Sequence, residues 1–242
     1  QRPELIWSAT FDNEGNEDAY DVTQTTDGGY VFVGATTNAG TAEDFWLVKT
    51  DSVGNQLWEQ SFDCQGENWE QGEYARSVQQ TDDGGYILAG YSTCVLMGGG
   101  PGIGGKDGWV IKTDANGNEE WNNVYGGVDN DKLYSVQQTS DGGYILAGDT
   151  ESFGSVEESM WLIKTDSIGD TLWTNTYYDT TCTNCSAYAK AVKQTSDGGY
   201  ILTGGTNLVK TDSLGNEEWF SDIFSYARDV IQTADGGYVV VG

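Results

Sequence analysis

Carboxylates, aromatic rings, four cysteines and a few cations are the groups able to do chemistry in this 242-residue chain, because it contains no histidine. Without imidazole, Ser-His-Asp and Cys-His nucleophile systems and all His-ligated metal sites are excluded. Carboxylates are in large excess: 38 Asp+Glu stand against 11 Lys+Arg, a formal net charge of -27 at pH 7. Nucleic-acid backbones and anionic membrane surfaces are therefore poor partners, since both demand a positive footprint. Two loops are dense in hard oxygen donors, with Asp12 and Glu14 in one and Asp129 and Asp131 in the other. Such donors suit calcium, but neither loop has the spacing of a helix-flanked calcium loop, so solvated acidic turns are the default and calcium the alternative. Asp21 and Asp229 occupy the same place in two repeat units. Paired carboxylates of this kind act on glycosidic bonds when they lie about 5 to 10 Å apart with one pKa raised. Trp69 with nearby Glu67, Glu70 and Glu73 is a candidate sugar platform, and a second loop carries Tyr177 and Tyr178.

Cys182 and Cys185 form a Cys-Thr-Asn-Cys loop, while Cys64 and Cys94 fall in insertions of a different unit. A four-thiolate zinc site calls for two such knuckles, and a redox pair calls for a helix start. Disulfides are favoured, as Cys182–Cys185 and Cys64–Cys94, although sequence alone does not fix the pairing. The glycine-rich stretch at 98–105 lacks the Gly-Lys-Ser/Thr ending of a phosphate loop and reads as a plain connection.

These residues hang on a repeat. Asp-Gly-Gly-Tyr occurs five times, ending at Tyr30, Tyr86, Tyr144, Tyr200 and Tyr238, and each copy is followed by an apolar run closed by glycine. Val22, Val78, Val136, Val192 and Val230 precede it at a fixed distance, each followed two residues later by Gln24, Gln80, Gln138, Gln194 or Gln232. A second block of the type WLIKTDSIGDTLW (161–173) follows four of the copies, and its closing Trp recurs at Trp7, Trp58, Trp121, Trp173 and Trp219. Each unit of about 50 residues reads as four short strands, with turn chemistry at Asp-Gly-Gly and at Asp-Ser-x-Gly-Asn. Alternation in strand one puts Arg76, Val78 and Gln80 on one face and Ala75, Ser77 and Gln79 on the other. The recurring Gln is expected to satisfy neighbouring backbone groups at the same place in every unit. No helical period appears and no apolar run is long enough to span a bilayer.

The chain is thus all-β, and four-stranded units repeated this often suggest a β-propeller of about five blades. The units run at about 8–58, 59–121, 122–173 and 174–219, with a partial unit 220–242 that the N-terminal strand 3–9 would complete as a composite blade. The missing third strand of that blade favours a chain that is part of a longer protein, with a β-solenoid or sandwich as the alternative fold.

On the residues SVQQTSDGGYILAG (135–148) and WLIKTDSIGDTLW, the chain resembles tandem repeats of large secreted proteins of the Bacteroidota, many of them type IX secretion cargo. Its Asp-Ser-x-Gly-Asn-x-x-Trp hairpin is also similar to the PQQ-type propeller blade. Unit four departs from the pattern, with Asn207 in place of the tryptophan that opens strand three elsewhere, and no C-terminal sorting domain is present. The resemblance implies a secreted or cell-surface propeller module for adhesion, assembly or ligand presentation, with carbohydrate or other surface proteins as partners and no cofactor unless calcium. It also implies that Ser52, Ser167 and Ser213, each in an Asp-Ser-apolar triplet, could carry O-glycans. The start at Gln1, without a leader, and the even cysteine count fit an exported protein. The alternative is a carbohydrate-binding or polysaccharide-acting enzyme that uses carboxylates at the channel mouth.

Overall fold

The computed structural model describes residues 7–11, 15–37, 43–63, 72–93, 105–154, 158–178 and 187–242. Every regular element among them is a strand. Unit one is the antiparallel sheet β1 (Glu17–Gln24), β2 (Tyr30–Thr37), β3 (Glu43–Thr50) and β4 (Gln56–Phe62). Unit two repeats it with β5 (Tyr74–Gln80), β6 (Tyr86–Ser92), β7 (Asp107–Thr113) and β8 (Glu119–Tyr125). Unit three does so with β9 (Asp131–Gln138), β10 (Tyr144–Thr150), β11 (Ser159–Thr165) and β12 (Thr171–Tyr177). Unit four consists of β13 (Ala191–Gln194), β14 (Tyr200–Thr211) and β15 (Glu217–Ala227), and unit five of β16 (Asp229–Gln232) and β17 (Tyr238–Val241).

The turn after strand one shows why the sequence recurs. In unit three, Gly142 sits at φ +84° with open space around it, so glycine is needed there for the backbone alone. The next residue, Gly143, needs to be small for a different reason: a Cβ there would stand 2.2 Å from the carbonyl oxygen of Thr165. Asp141 accepts the N–H of Gly143 and closes the turn. Its other oxygen lies 3.0 Å from Lys164 Nζ, and that ammonium also donates to the Thr165 carbonyl at 2.8 Å. One lysine thus ties the first turn to the end of strand three, and Lys49, Lys112 and Lys210 repeat the bond in units one, two and four. The bond also shows that β14 doubles back. Lys210 reaches Asp197 at 3.0 Å, whereas a straight strand of that length would carry it on the order of 40 Å away. The reversal falls at Gly205, where φ is +56°, so unit four keeps strands two and three with almost no connection between them.

Apolar runs buried on both faces put the cores between sheets. One core joins Val31, Val33, Phe45 and Leu47 of unit one to Tyr86, Leu88, Trp109 and Ile111 of unit two, and equivalent cores join units two to three and three to four. At each junction the strand-four tryptophan packs on the Asp-Gly-Gly tyrosine of the next unit, as Trp121 does on Tyr144 with ring centroids 5.8 Å apart. Trp7 stands against Tyr30 in the same way. Strand one touches strand one of the next unit in the series β1, β5, β9, β13, β16, which arranges the sheets as blades about a common axis. This is a β-propeller arrangement, as the repeat predicted. Val22 on β1 is 62% exposed while Val78, Val136 and Val192 are at most 5% exposed, because among the described residues no further sheet packs on the outer side of β1.

The recurring glutamines do what their amides can do. The Oε1 atoms of Gln80, Gln138, Gln194 and Gln232 accept the N–H of Thr26, Asp82, Ser140 and Ser196 respectively, each in the preceding unit's turn.

Candidate ligand mouth

All Asp-Gly-Gly and Asp-x-x-Gly turns lie at one end of the strands. Antiparallel order therefore sends the strand two-to-three and unit-to-unit connections, where the sequence carries its insertions, to the opposite end. The first end can be called the constant face and the second the variable face. The strict alternation expected for strand one fails at the variable face. Ala19 pairs with Gly34 and Asp21 with Val33, leaving Tyr20 out of register; Ala75 and Ser77 skip Arg76 in the same way, and Leu133 and Ser135 skip Tyr134. A β-bulge gives the extra residue no partner and re-aims its side chain. Arg76 therefore leaves the face of Val78, which turns into the core. In units four and five the residue at this place is Lys190 or Arg228, just before the paired strand, and its N–H donates to Thr203 or Val241.

The bulge residues Tyr20, Arg76 and Tyr134, with Lys190 and Arg228 at the equivalent place of units four and five, thus put rings and cations on the innermost strands. The Arg76 guanidinium lies 3.9 Å above the Tyr20 ring centroid and within 5.4 Å of Tyr74 and Tyr91, and it donates to the Tyr91 hydroxyl at 2.7 Å. Lys190 Nζ stands 3.0 Å from the Tyr134 ring centroid and 4.8 Å from that of Tyr188, while Lys106 lies over Tyr91. Burial draws the Lys190 ammonium down to about 8, and the charges of Arg76 and Lys132 push the same way against Asp149. Tyr91, which lies beside Arg76, packs edge-on against Tyr134 with ring centroids 6.3 Å apart, so Arg76 of unit two and Lys190 of unit four lie on one continuous run of rings. Burial also pushes Tyr74 up to about 12, helped by Glu43, and holds Tyr134 far above the usual phenol range, helped by Asp149. The fully buried Asp149 accepts from Lys132 at 3.1 Å through one oxygen, and its other oxygen has no partner among the described residues.

Charge balance sets this layer apart. Lys49, Lys112, Lys164 and Lys210 hold the constant-face turns, and Lys132 pairs with Asp149. Among the described residues Arg76, Lys106, Lys190, Lys193 and Arg228 lie within ion-pair distance of no carboxylate, in a chain that carries 38 of them. A cation left unpaired and half-buried is costly, and the cost falls when an anionic or hydrogen-bonding ligand arrives.

The residues singled out in the sequence fare unevenly. Trp69, Glu67, Glu70, Asp12, Glu14 and all four cysteines, Cys64, Cys94, Cys182 and Cys185, lie outside the described residues. Tyr177 is no surface ring: it is buried, and its hydroxyl donates to the Gly215 carbonyl of the next unit at 2.6 Å. Asp129 is exposed, whereas Asp131 is fully buried and its Oδ2 accepts the N–H of Gly127 and the hydroxyl of Ser152. Those internal bonds, rather than a solvated loop, explain Asp131. Asp21 is a clamp: its two oxygens accept the N–H groups of Val22 and Val78, joining units one and two. Asp229 accepts from its neighbour Val230. Ser52, Ser167 and Ser213 are exposed at equivalent turns of the constant face.

The sequence reading does not find the mouth, and of one carboxylate cluster it names only Glu73. Asp44, Asp63 and Glu73 lie within 4.8 Å of one another at the variable-face junction of units one and two, and burial with the Asp63 charge pushes Asp44 up to about 6. Asp107 takes the same place one unit on, pushed up to about 7 by burial and by Asp131. The signal for the mouth was present: two residues before the invariant valine, the units carry Tyr, Arg, Tyr, Lys and Arg within an otherwise constant frame.

No family model and no curated protein matches the chain. Solved structures do match in fold. A protein of unknown function from Bacteroides caccae aligns over 88% of this chain and 64% of its own, at 12% identity and TM-score 0.54. The Neurospora crassa Pan2 WD40 domain aligns over 93% and 60%, at 11% identity and TM-score 0.56. The Penicillium chrysogenum alpha-L-arabinanase, solved with arabinobiose, aligns over 91% and 71%, at 13% identity and TM-score 0.53. This chain spans less than two thirds of the length of the first two. At these identities the likeness is one of fold, and the fold it supports is the propeller.

Proposed function

We propose that this chain is a non-catalytic propeller module, secreted or displayed at a cell surface, whose ligand seats at the variable-face mouth. One observation carries the reading: the bulge residues Tyr20, Arg76 and Tyr134 and the equivalent Lys190 join through Tyr91 into one run of rings and cations at the variable-face end of the innermost strands, with Arg228 at the same place of unit five. Binding sites on repeat scaffolds are built from what varies between units, and at this position the variation is confined to rings and cations. The non-catalytic part is supported by Asp21, whose oxygens are engaged by backbone N–H groups as a structural clamp. The arabinanase shares the fold, and carbohydrate is the partner class that aromatic rings beside polar groups suit best. Export and surface display rest on the sequence resemblance alone.

The test is retention of the full chain on an array of surface glycans and on cells of related bacteria. Tyr134→Ala with Arg76→Ala should abolish retention, while Ser52→Ala with Ser213→Ala on the constant face should leave it unchanged. Retention that survives the mouth substitutions and disappears with the constant-face ones would overturn the assignment.

A further inference from the structure

We infer that the mouth holds its ligand through a single carboxylate group, gripped by Arg76 and Lys190; this rests on the mouth being the binding site. The geometry at Arg76 narrows the chemistry. The guanidinium lies over Tyr20, one Nη atom donates to the Tyr91 hydroxyl, and the buried Nε has no partner among the described residues. A stacked guanidinium presents its edge, and that edge matches the two oxygens of a planar carboxylate. Lys190 stands over Tyr134, whose ring packs on Tyr91 beside Arg76, and supplies a second point of attraction. The two cations are held by rings rather than by carboxylates, which leaves their charge available.

The surroundings select for low charge. Glu43 bears on Tyr74, and Asp149 and Glu158 bear on Lys190, so the cations sit inside an acidic collar. The chain as a whole, at -27, repels extended polyanions. A ligand bringing one negative charge gains both cations and little of that repulsion, whereas a phosphate dianion or a sulfated polymer meets more of it. The carboxylate can come from an acidic sugar or from a free organic acid. A sugar ring would in addition lie among Tyr20, Tyr74, Tyr91 and Tyr188.

Binding should weaken as pH rises through about 8, where Lys190 loses its proton. The groups facing it are Tyr134 and Tyr188 beneath, Arg76 and Lys132 as like charges, and Asp149 and Glu158 as opposite ones. A bound carboxylate favours the charged lysine and moves that decline to higher pH.

The test is an NMR titration of the full chain, following the Arg76 Nε–H resonance, with acetate, galacturonate, galacturonate methyl ester, galactose and inorganic phosphate as probes. Galacturonate and acetate should shift the resonance saturably, and the ester and galactose should not. Galacturonate tighter than acetate by tenfold or more assigns the carboxylate to a sugar, and equal affinities assign it to a free acid. Arg76→Lys should weaken galacturonate at least tenfold, and Lys190→Met several-fold, with Lys190→Arg restoring it. Phosphate binding in place of carboxylates, or ester and acid binding alike with loss in Arg76→Lys, would overturn the carboxylate and leave the mouth standing. Affinities for every probe that ignore both Arg76 and Lys190 would take down both.

Discussion

The two faces of this propeller use the same residue types to opposite ends. On the constant face, Lys112 is almost wholly buried, bonded to Thr113 and paired with Asp83 and Glu120. On the variable face, Arg76 and Lys190 rest on tyrosine rings, with no carboxylate within ion-pair distance among the described residues. Aspartates divide likewise. Asp197 is held down at about 2 by the Thr195 hydroxyl, the Gly199 N–H and Lys210. Asp107 is driven up to about 7 by burial and by Asp131. The difference teaches where the repeat puts its fold-determining bonds and where it leaves polar groups unsatisfied. Such unsatisfied groups lower stability and are kept where they serve binding.

Breaking the constant face should have the larger effects. Tyr144→Ala removes a buried ring that packs on Trp121 and should cost about 3–5 kcal/mol in urea unfolding. Lys112→Met leaves the Thr113 carbonyl without its side-chain donor and should cost about 1–3 kcal/mol. Gly142→Ala meets no atom but forces an L residue to φ +84°, and should cost about 1–2 kcal/mol. Each substitution should leave affinity at the mouth unchanged in the folded fraction.

The comparison sharpens with pH. A carboxyl whose folded pKa is depressed, as for Asp197, adds stability above its unfolded value near 4, and that stability is lost as pH falls towards about 2. A carboxyl whose folded pKa is raised does the reverse: Asp107 and Asp44 favour the fold while protonated, and their contribution is lost as pH rises from about 4 through 6 to 7. Stability should therefore peak between about pH 4 and 5. Asp107→Asn should raise the urea midpoint at pH 8 and leave it unaltered at pH 4; an equal effect at both would show that Asp107 is ionised throughout.

The constant face was legible in the sequence because each of its bonds recurs. The Asp-Gly-Gly turn, the strand-four tryptophan and the amide of Gln80 could be assigned from their repetition, and the structure puts each in the expected kind of role. The mouth was not read because it depends on the bulge at Arg76, which strict alternation does not foresee. The bulge is set by tertiary pairing with Gly90, where a Cβ would stand 1.9 Å from the Tyr74 carbonyl. Tyr177 misled for a related reason. It looks like a loop aromatic in sequence, yet it ends β12 and points into the next unit's turn. The insertions are the conspicuous differences between units, and single substitutions within a constant strand, as at Arg76 and Lys190, give a weaker signal in the sequence.

The division of labour between the faces is tested most directly by urea unfolding of two double variants, Arg76→Met with Lys190→Met and Lys112→Met with Lys164→Met. The first pair should unfold within about 1 kcal/mol of the parent, because its cations make no ion pair in the fold. The second should lose about 2 kcal/mol or more, because two carbonyls lose their donors together. A mouth pair that unfolds well before the constant-face pair would contradict the account, since Arg76 and Lys190 would then be holding the blades together.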